Sequence, residues 1–176
     1  MEWVRAHGYP APRVHSVDGP DMVLDRVHGP TMLESLFAGT TTIEDAARIL
    51  AELHRQLHAI TPPPEQEADG VICHLDLHPE NIIESPAGPV LIDWRNSDVG
   101  PAGVDVALTG LVIAQVAVSP IVEAPAARDL LDAYLRHVGP LDPSDVHEAT
   151  AYRSADPNMA PGELDLLSIA KDLLLR

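Results

Sequence analysis

Four stretches after Gly100-Pro101 carry apolar residues at helical spacing: Val104 to Val118, Ala126 to His137, Pro143 to Tyr152 and Pro161 to Leu175. Each opens on a proline, a glycine or a small polar residue, the usual way a helix begins. Upstream, Thr42 is placed to cap a longer helix from Ile43 to Ile60, with Ala46, Ile49, Leu50, Leu53 and Leu57 along one face. A shorter helix fits Thr31 to Phe37 after Gly29-Pro30. So much amphipathic helix commits the chain to a helical core. At 176 residues, it is long enough for one such core and short for two.

The remaining apolar runs are short and broken by turn residues. Val14 to Val27, interrupted at Asp18-Gly19-Pro20, reads as a small hairpin. Thr61-Pro62-Pro63-Pro64 ends the long helix and opens a polar loop to Gly70, because proline lacks the amide donor and restricts its predecessor. Val71 to His74, Asn81 to Glu84 and Val90 to Asp93 read as short strands, the last two flanking Ser85-Pro86-Ala87-Gly88. The expected class is α+β, mainly helical, with short β-hairpins whose loops are the natural place for chemistry.

Charge and composition narrow the partners. The formal net charge of −16, from 27 acidic and 11 basic side chains, disfavours nucleic acid and anionic membranes, which need clustered positive charge. It suits a cationic or neutral partner better. Val104 to Val118 is interrupted by Asp105, Thr109, Gly110 and Gln115, short of a bilayer span. The N-terminus, M-E-W-V-R-A-H-G-Y-P, lacks the pattern of a secretory signal, so a cytoplasmic protein is expected. Cys73 is the single cysteine, which leaves it a packing role and excludes an internal disulfide.

The chemistry is concentrated in H-L-D-L-H-P-E-N, His74 to Asn81, followed by L-I-D-W, Leu91 to Trp94. Asp76, Asn81 and Asp93 are two acids and an amide at strand ends or loops. Phosphoryl transfer needs a carboxylate near the attacking hydroxyl and oxygen ligands for Mg²⁺, and these three side chains can supply both.

These residues resemble the aminoglycoside phosphotransferase and choline kinase family, distant relatives of the protein kinases. The resemblance implies the C-lobe of a protein-kinase-like fold, with Mg²⁺ and ATP as cofactors of an active enzyme. On it, Asp76 is the catalytic base, Asn81 and Asp93 are the Mg²⁺ ligands, and His74 shapes the loop. Asp105, in D-V-G-P-A-G-V-D-V-A, resembles the family's structural Asp that braces the catalytic loop, and A-D-P-N-M-A-P-G-E is a further match. M-V-L-D-R-V-H-G looks like the hinge between lobes, where the backbone of Asp25, Arg26 and Val27 would receive adenine. Residues 1–30 then form residual N-lobe strands and hinge, and 31–176 a helical C-lobe with the catalytic loop. The implied function is ATP-dependent O-phosphorylation of a small molecule, with a cationic acceptor such as an aminosugar suited to the acidic lobe. The alternatives are a catalytically inactive, pseudokinase-like binding module, or a different reaction in the same acidic pocket.

One departure from the family is plain. About two dozen residues precede the hinge, and the single lysine, Lys171, follows every catalytic motif, so the glycine-rich loop and phosphate-gripping lysine have no counterpart here. A fragment, an adapted short form and a lobe completed by a second chain all account for this. The last predicts a homodimer through the exposed edge of the N-terminal hairpin. Other residues have plainer readings. His54 and His58, i and i+4, read as packing or surface residues, since Arg55 stands where a metalloprotease helix carries Glu. His78 reads as structural, Asp98 and Asp105 as caps or braces, and Trp3 and Trp94 as core anchors.

Overall fold

The computed structural model describes residues 1–19, 21–66, 69–157, 159 and 161–176. Helix α1 (Glu2–Ala6) is followed by a strand pair, β1 (Val14–Asp18) and β2 (Asp21–Leu24), antiparallel with a bulge between Val14 and Ser16. Pro20 of the expected turn lies outside the described residues. Helices α2 (Met32–Ala38) and α3 (Ile43–His58) come next, then β3 (Val71–Cys73), β4 (Ile82–Ser85), β5 (Gly88–Leu91) and β6 (Asp98–Gly100). Helices α4 (Ala102–Val118), α5 (Ala124–Val138), α6 (Pro143–Ser154) and α7 (Pro161–Leu174) complete the chain.

The helix starts are chemically specified. Thr31 and Glu34 form a reciprocal capping box on α2, and the Thr42 hydroxyl accepts the amide of Asp45 at the start of α3. Proline falls in the first turns of α5 and α6, where its missing donor costs nothing. The apolar face of α3, with Ala46, Ala47, Leu50, Leu53 and Leu57, is buried. Helix α4 is the hub: it packs against α5, α6 and α7, while α3 packs on α5. It is apolar nearly all round, as a helix enclosed by others must be, and Gly110 lets α7 approach until Leu174 Cδ2 lies 3.2 Å from where a Cβ would stand.

The strands form three antiparallel pairs, β1 with β2, β3 with β6, and β4 with β5. The β3–β6 pairing was not expected; at three residues, Asp98–Gly100 is too short to leave a periodic signal. The segment from Gly29 to Thr31 is sewn directly to the β4–β5 hairpin. The Glu84 amide donates to Pro30 O at 2.9 Å, and Thr31 bridges Ile83. Gly29, at φ 150°, makes this approach feasible, since a Cβ there would lie 2.2 Å from the Glu84 carbonyl oxygen.

Candidate active site

The segment from His74 to Asn81 leaves β3 through an unusual backbone. Leu75 has φ 62°, the left-handed region that costs a branched, non-glycine residue free energy unless its surroundings enforce it. Asp105, fully buried on α4, is the enforcing group. Its Oδ1 accepts the Leu75 amide at 2.7 Å and its Oδ2 accepts the His74 amide at 3.1 Å. One turn later, Thr109 donates its hydroxyl to Leu77 O at 2.7 Å. Two polar side chains at i and i+4 on an apolar helix thus hold three consecutive parts of the loop.

Helix α3 answers with its own i, i+4 pair. His58 Nε2 lies 2.9 Å from Asp105 Oδ2, and His54 Nδ1 lies 3.4 Å from the same oxygen. The Thr109 hydroxyl spends its proton on Leu77, so its oxygen accepts from His54 Nε2–H at 2.9 Å. Burial alone would raise the Asp105 carboxyl, but His54 and His58 outweigh it and hold the group well below the usual carboxylate range. His54, His58 and Asp105 bring three potential metal-ligand atoms within 4.8 Å of one another. The Asp105 oxygens are already committed to two amides and an imidazole, so the cluster is a hydrogen-bonded hub. Packing and surface placement therefore understate both histidines.

His74 is buried, and its Nε2 donates to Ile92 O at 3.0 Å. Burial lowers its pKa to about 4, so the ring is neutral at neutral pH and joins the loop to the end of β5. The Ile92 amide in turn donates to Asn81 O at 2.9 Å. The two halves of the motif are tied together at the backbone.

Asp76, His78 and Asn81 converge. Asn81 Nδ2 donates to Asp76 O at 2.8 Å and to Asp76 Oδ2 at 3.2 Å. Both Asp76 atoms are acceptors and so select the amide nitrogen on that side, and Asn81 Oδ1 has no hydrogen-bond partner among the described residues. His78 Nδ1 lies 3.3 Å from the Glu80 amide, and its Nε2 lies 3.2 Å from Asn81 Nδ2 and 3.5 Å from Asp76 Oδ1. Burial lifts the Asp76 carboxyl above the usual carboxylate range, against the pull of His78, Arg153 and Asn81, and the charge of Asp93 adds to the lift. Burial likewise lowers His78, with Asp76 opposing.

Asp93 follows Ile92 directly, with φ 57° and ψ 64°; it is exposed and precedes a 3₁₀ turn, Trp94–Asn96, which its side chain does not cap. Its carboxylate makes no hydrogen bond among the described residues. A carbonyl oxygen on Asn81 and a carboxylate on Asp93 are a hard, oxygen-only donor set, which fits Mg²⁺. Of the residues expected at the hinge, Asp25 spends its amide on Arg13 O at 2.9 Å and its carboxylate on His15 at 2.6 Å, while Arg26 and Val27 make no backbone hydrogen bonds among the described residues. A-D-P-N-M-A-P-G-E lies partly outside the described residues, at Asn158 and Ala160.

A cavity of about 640 Å³ opens beside Asp76, walled by the loop, the 3₁₀ turn, α4 and the end of α6. Its polar contributors Arg95, Tyr152 and Arg153 carried no motif and were not anticipated.

The profile of the phosphotransferase enzyme family, APH, matches residues 27–144, more than half of the chain and spanning the loop, Asp93 and Asp105. The chain belongs to this phosphotransferase family. Two solved structures share the fold. An ethanolamine kinase from Plasmodium vivax superimposes with a TM-score of 0.60 at 12% identity, over 96% of this chain and 70% of that one. An amicoumacin kinase, solved in complex with AMP-PNP, Ca²⁺ and Ami, gives a TM-score of 0.53 at 12% identity, over 99% of this chain and 75% of that one. No curated protein matches the sequence. Membership agrees with the kinase-like, mainly helical architecture, and among the described residues no helix is long and apolar enough to cross a membrane.

Proposed function

We propose that this family member is a small-molecule O-phosphotransferase that moves the γ-phosphoryl group of ATP to an acceptor hydroxyl. Asp76 is the base: it accepts the hydroxyl proton as the acceptor oxygen bonds to phosphorus and the bond to the departing ADP oxygen breaks. Asn81 and Asp93 would hold Mg²⁺, which when bound neutralises charge on the β- and γ-phosphates. Arg26 and Val27 offer free backbone groups to adenine.

The observation that carries this reading is the Asn81 amide. Its nitrogen orients Asp76 while its oxygen is left for a cation, so one side chain sets base and metal site in a fixed relation. A raised Asp76 pKa suits a base working near neutral pH, because proton transfer is most effective when donor and acceptor are matched. ³¹P NMR of ATP with candidate hydroxyl acceptors tests it: phosphoryl transfer lost in Asp76→Asn supports the assignment, and transfer undiminished in that variant rejects it.

A second reading rests on Lys171. The chain's one lysine lies on α7, after the loop. A catalytically inactive binding module, with the same loop kept as a hydrogen-bonded scaffold, accommodates that fact. Nucleotide binding without transfer to any acceptor is its signature.

A further inference from the structure

The cavity beside Asp76 is electrically unlike the chain that surrounds it. Its charged walls are Asp76, Asp156, Arg95 and Arg153, formally two negative and two positive, in a protein of net charge −16. A polycationic acceptor entering here meets two guanidinium groups.

The two arginines are not equivalent. Arg153 is held from two sides: its Nε donates to Gln115 Oε1 at 3.2 Å, and its Nη1 lies 3.5 Å from Asp156 Oδ2. Gln115 is itself buried and donates to Glu163 O at 3.1 Å, so the guanidinium fork is set in place before any ligand arrives. Arg95, two residues beyond Asp93, is exposed and makes no hydrogen bond or ion pair among the described residues. The Asp156 carboxylate is already engaged with Arg153. Asp156 and Arg153 offset each other, which leaves Arg95 as an unpaired guanidinium on the wall formed by the 3₁₀ turn, while Asp76 faces the same space from the loop and keeps the cavity formally neutral.

We infer that the acceptor is a hydroxylated anion, a carboxylate or phosphate monoester of a polyol, whose charged group is held by Arg95 with help from Arg153 while a hydroxyl reaches Asp76. The inference rests on the phosphotransferase reading for the word acceptor. The anion preference rests on the cavity alone. Guanidinium recognises both anions through paired N–H donors, and the neutral side chains Asn96 and Tyr152 are available for the remaining hydroxyls.

Calorimetry on the full chain at constant ionic strength, with gluconate, glycerol 3-phosphate, sorbitol and glucosamine as probes, tests this. The expected result is that one or both anions bind about tenfold or more tightly than sorbitol or glucosamine, as a charge-assisted contact implies. The stronger of the two identifies carboxylate or phosphate. Arg95→Gln, an exposed substitution that should fold, brings the anion down to the level of sorbitol. Tightest binding by glucosamine, no binding by either anion, or anion binding unchanged in both Arg95→Gln and Arg153→Gln overturns the inference. A separate titration with Mg²⁺ and AMP-PNP keeps the two ideas apart. Nucleotide binding without anion binding sinks the acceptor class alone, whereas Arg95-dependent anion binding without nucleotide binding supports the cavity's preference and sinks phosphoryl transfer.

Discussion

Asp105 accepts the amide of Leu75 at 2.7 Å, and this bond fastens a residue at φ 62° immediately before Asp76. The strained residue and the buried carboxylate come from β3's exit and the first turns of α4, thirty positions apart. Each makes sense only in the presence of the other: the carboxylate needs donors in a buried site, and the left-handed leucine needs a partner that selects its conformation.

Replacing Asp105 by Ala leaves two loop amides and the imidazoles of His54 and His58 facing a buried void. Loss of a buried, multiply bonded charge costs about 3–5 kcal/mol, so the midpoint of urea unfolding falls sharply. Asp105→Asn costs less, because a carbonyl oxygen can still accept one amide.

The same group sets an acid limit. The folded pKa of Asp105 is held below its unfolded value, so its stabilisation is present above the ordinary carboxylate range and is lost as pH falls through the folded value. Unfolding free energy measured from pH 6 downward should drop less steeply in Asp105→Asn than in the unaltered chain. Parallel slopes would remove Asp105 from the acid response.

Asp76 has the opposite sign. Burial raises its folded pKa above the unfolded value, so the ionised form costs stability above both values, and the cost disappears as pH falls below the unfolded one. Asp76→Asn is therefore expected to raise Tm slightly at pH 7, by no more than about 1 kcal/mol of stability, while abolishing transfer. A lowered Tm at pH 7 contradicts the strained-base reading. The exchange of stability for function is what a carboxylate kept in a half-buried site implies.

Most of the fold was legible because its signals are local. Proline and threonine mark the helix starts, and the i, i+3, i+4 patterns from Ile43 and Val104 locate α3 and α4 to within a few residues. The loop stood out for its residue types, and Asp76 and Asn81 do meet. What stayed hidden depends on pairing across the chain. His54 and His58 carry nothing in their own spacing to separate a packing pair from one aimed at Asp105; only the matching i, i+4 pair Asp105 and Thr109, polar in an apolar helix, hinted at it. Arg95 and Arg153 stand 58 positions apart, with no shared motif, and come to line one cavity only in the folded chain. The expectation of a cationic acceptor came from total charge, a property of the whole surface, whereas the proposal of an anion comes from the residues of one cavity.

The N-terminal hairpin offers a separate test. Val17, Met22 and Val23 are 60%, 49% and 56% exposed, and β1 and β2 pair only with each other among the described residues. Such an edge invites another strand. We expect self-association through it, measured by light scattering after size-exclusion chromatography and reduced by Val23→Lys. A strict monomer at all concentrations argues against this surface as an interface.

Calorimetric titration of the chain with AMP-PNP, with and without Mg²⁺, bears most directly on the proposed chemistry. The account predicts binding that requires Mg²⁺ and weakens about tenfold or more when either Asn81→Ala or Asp93→Asn removes a ligand oxygen, with circular dichroism unchanged. Nucleotide affinity indifferent to both Mg²⁺ and these two substitutions, or no binding at millimolar nucleotide, would contradict it.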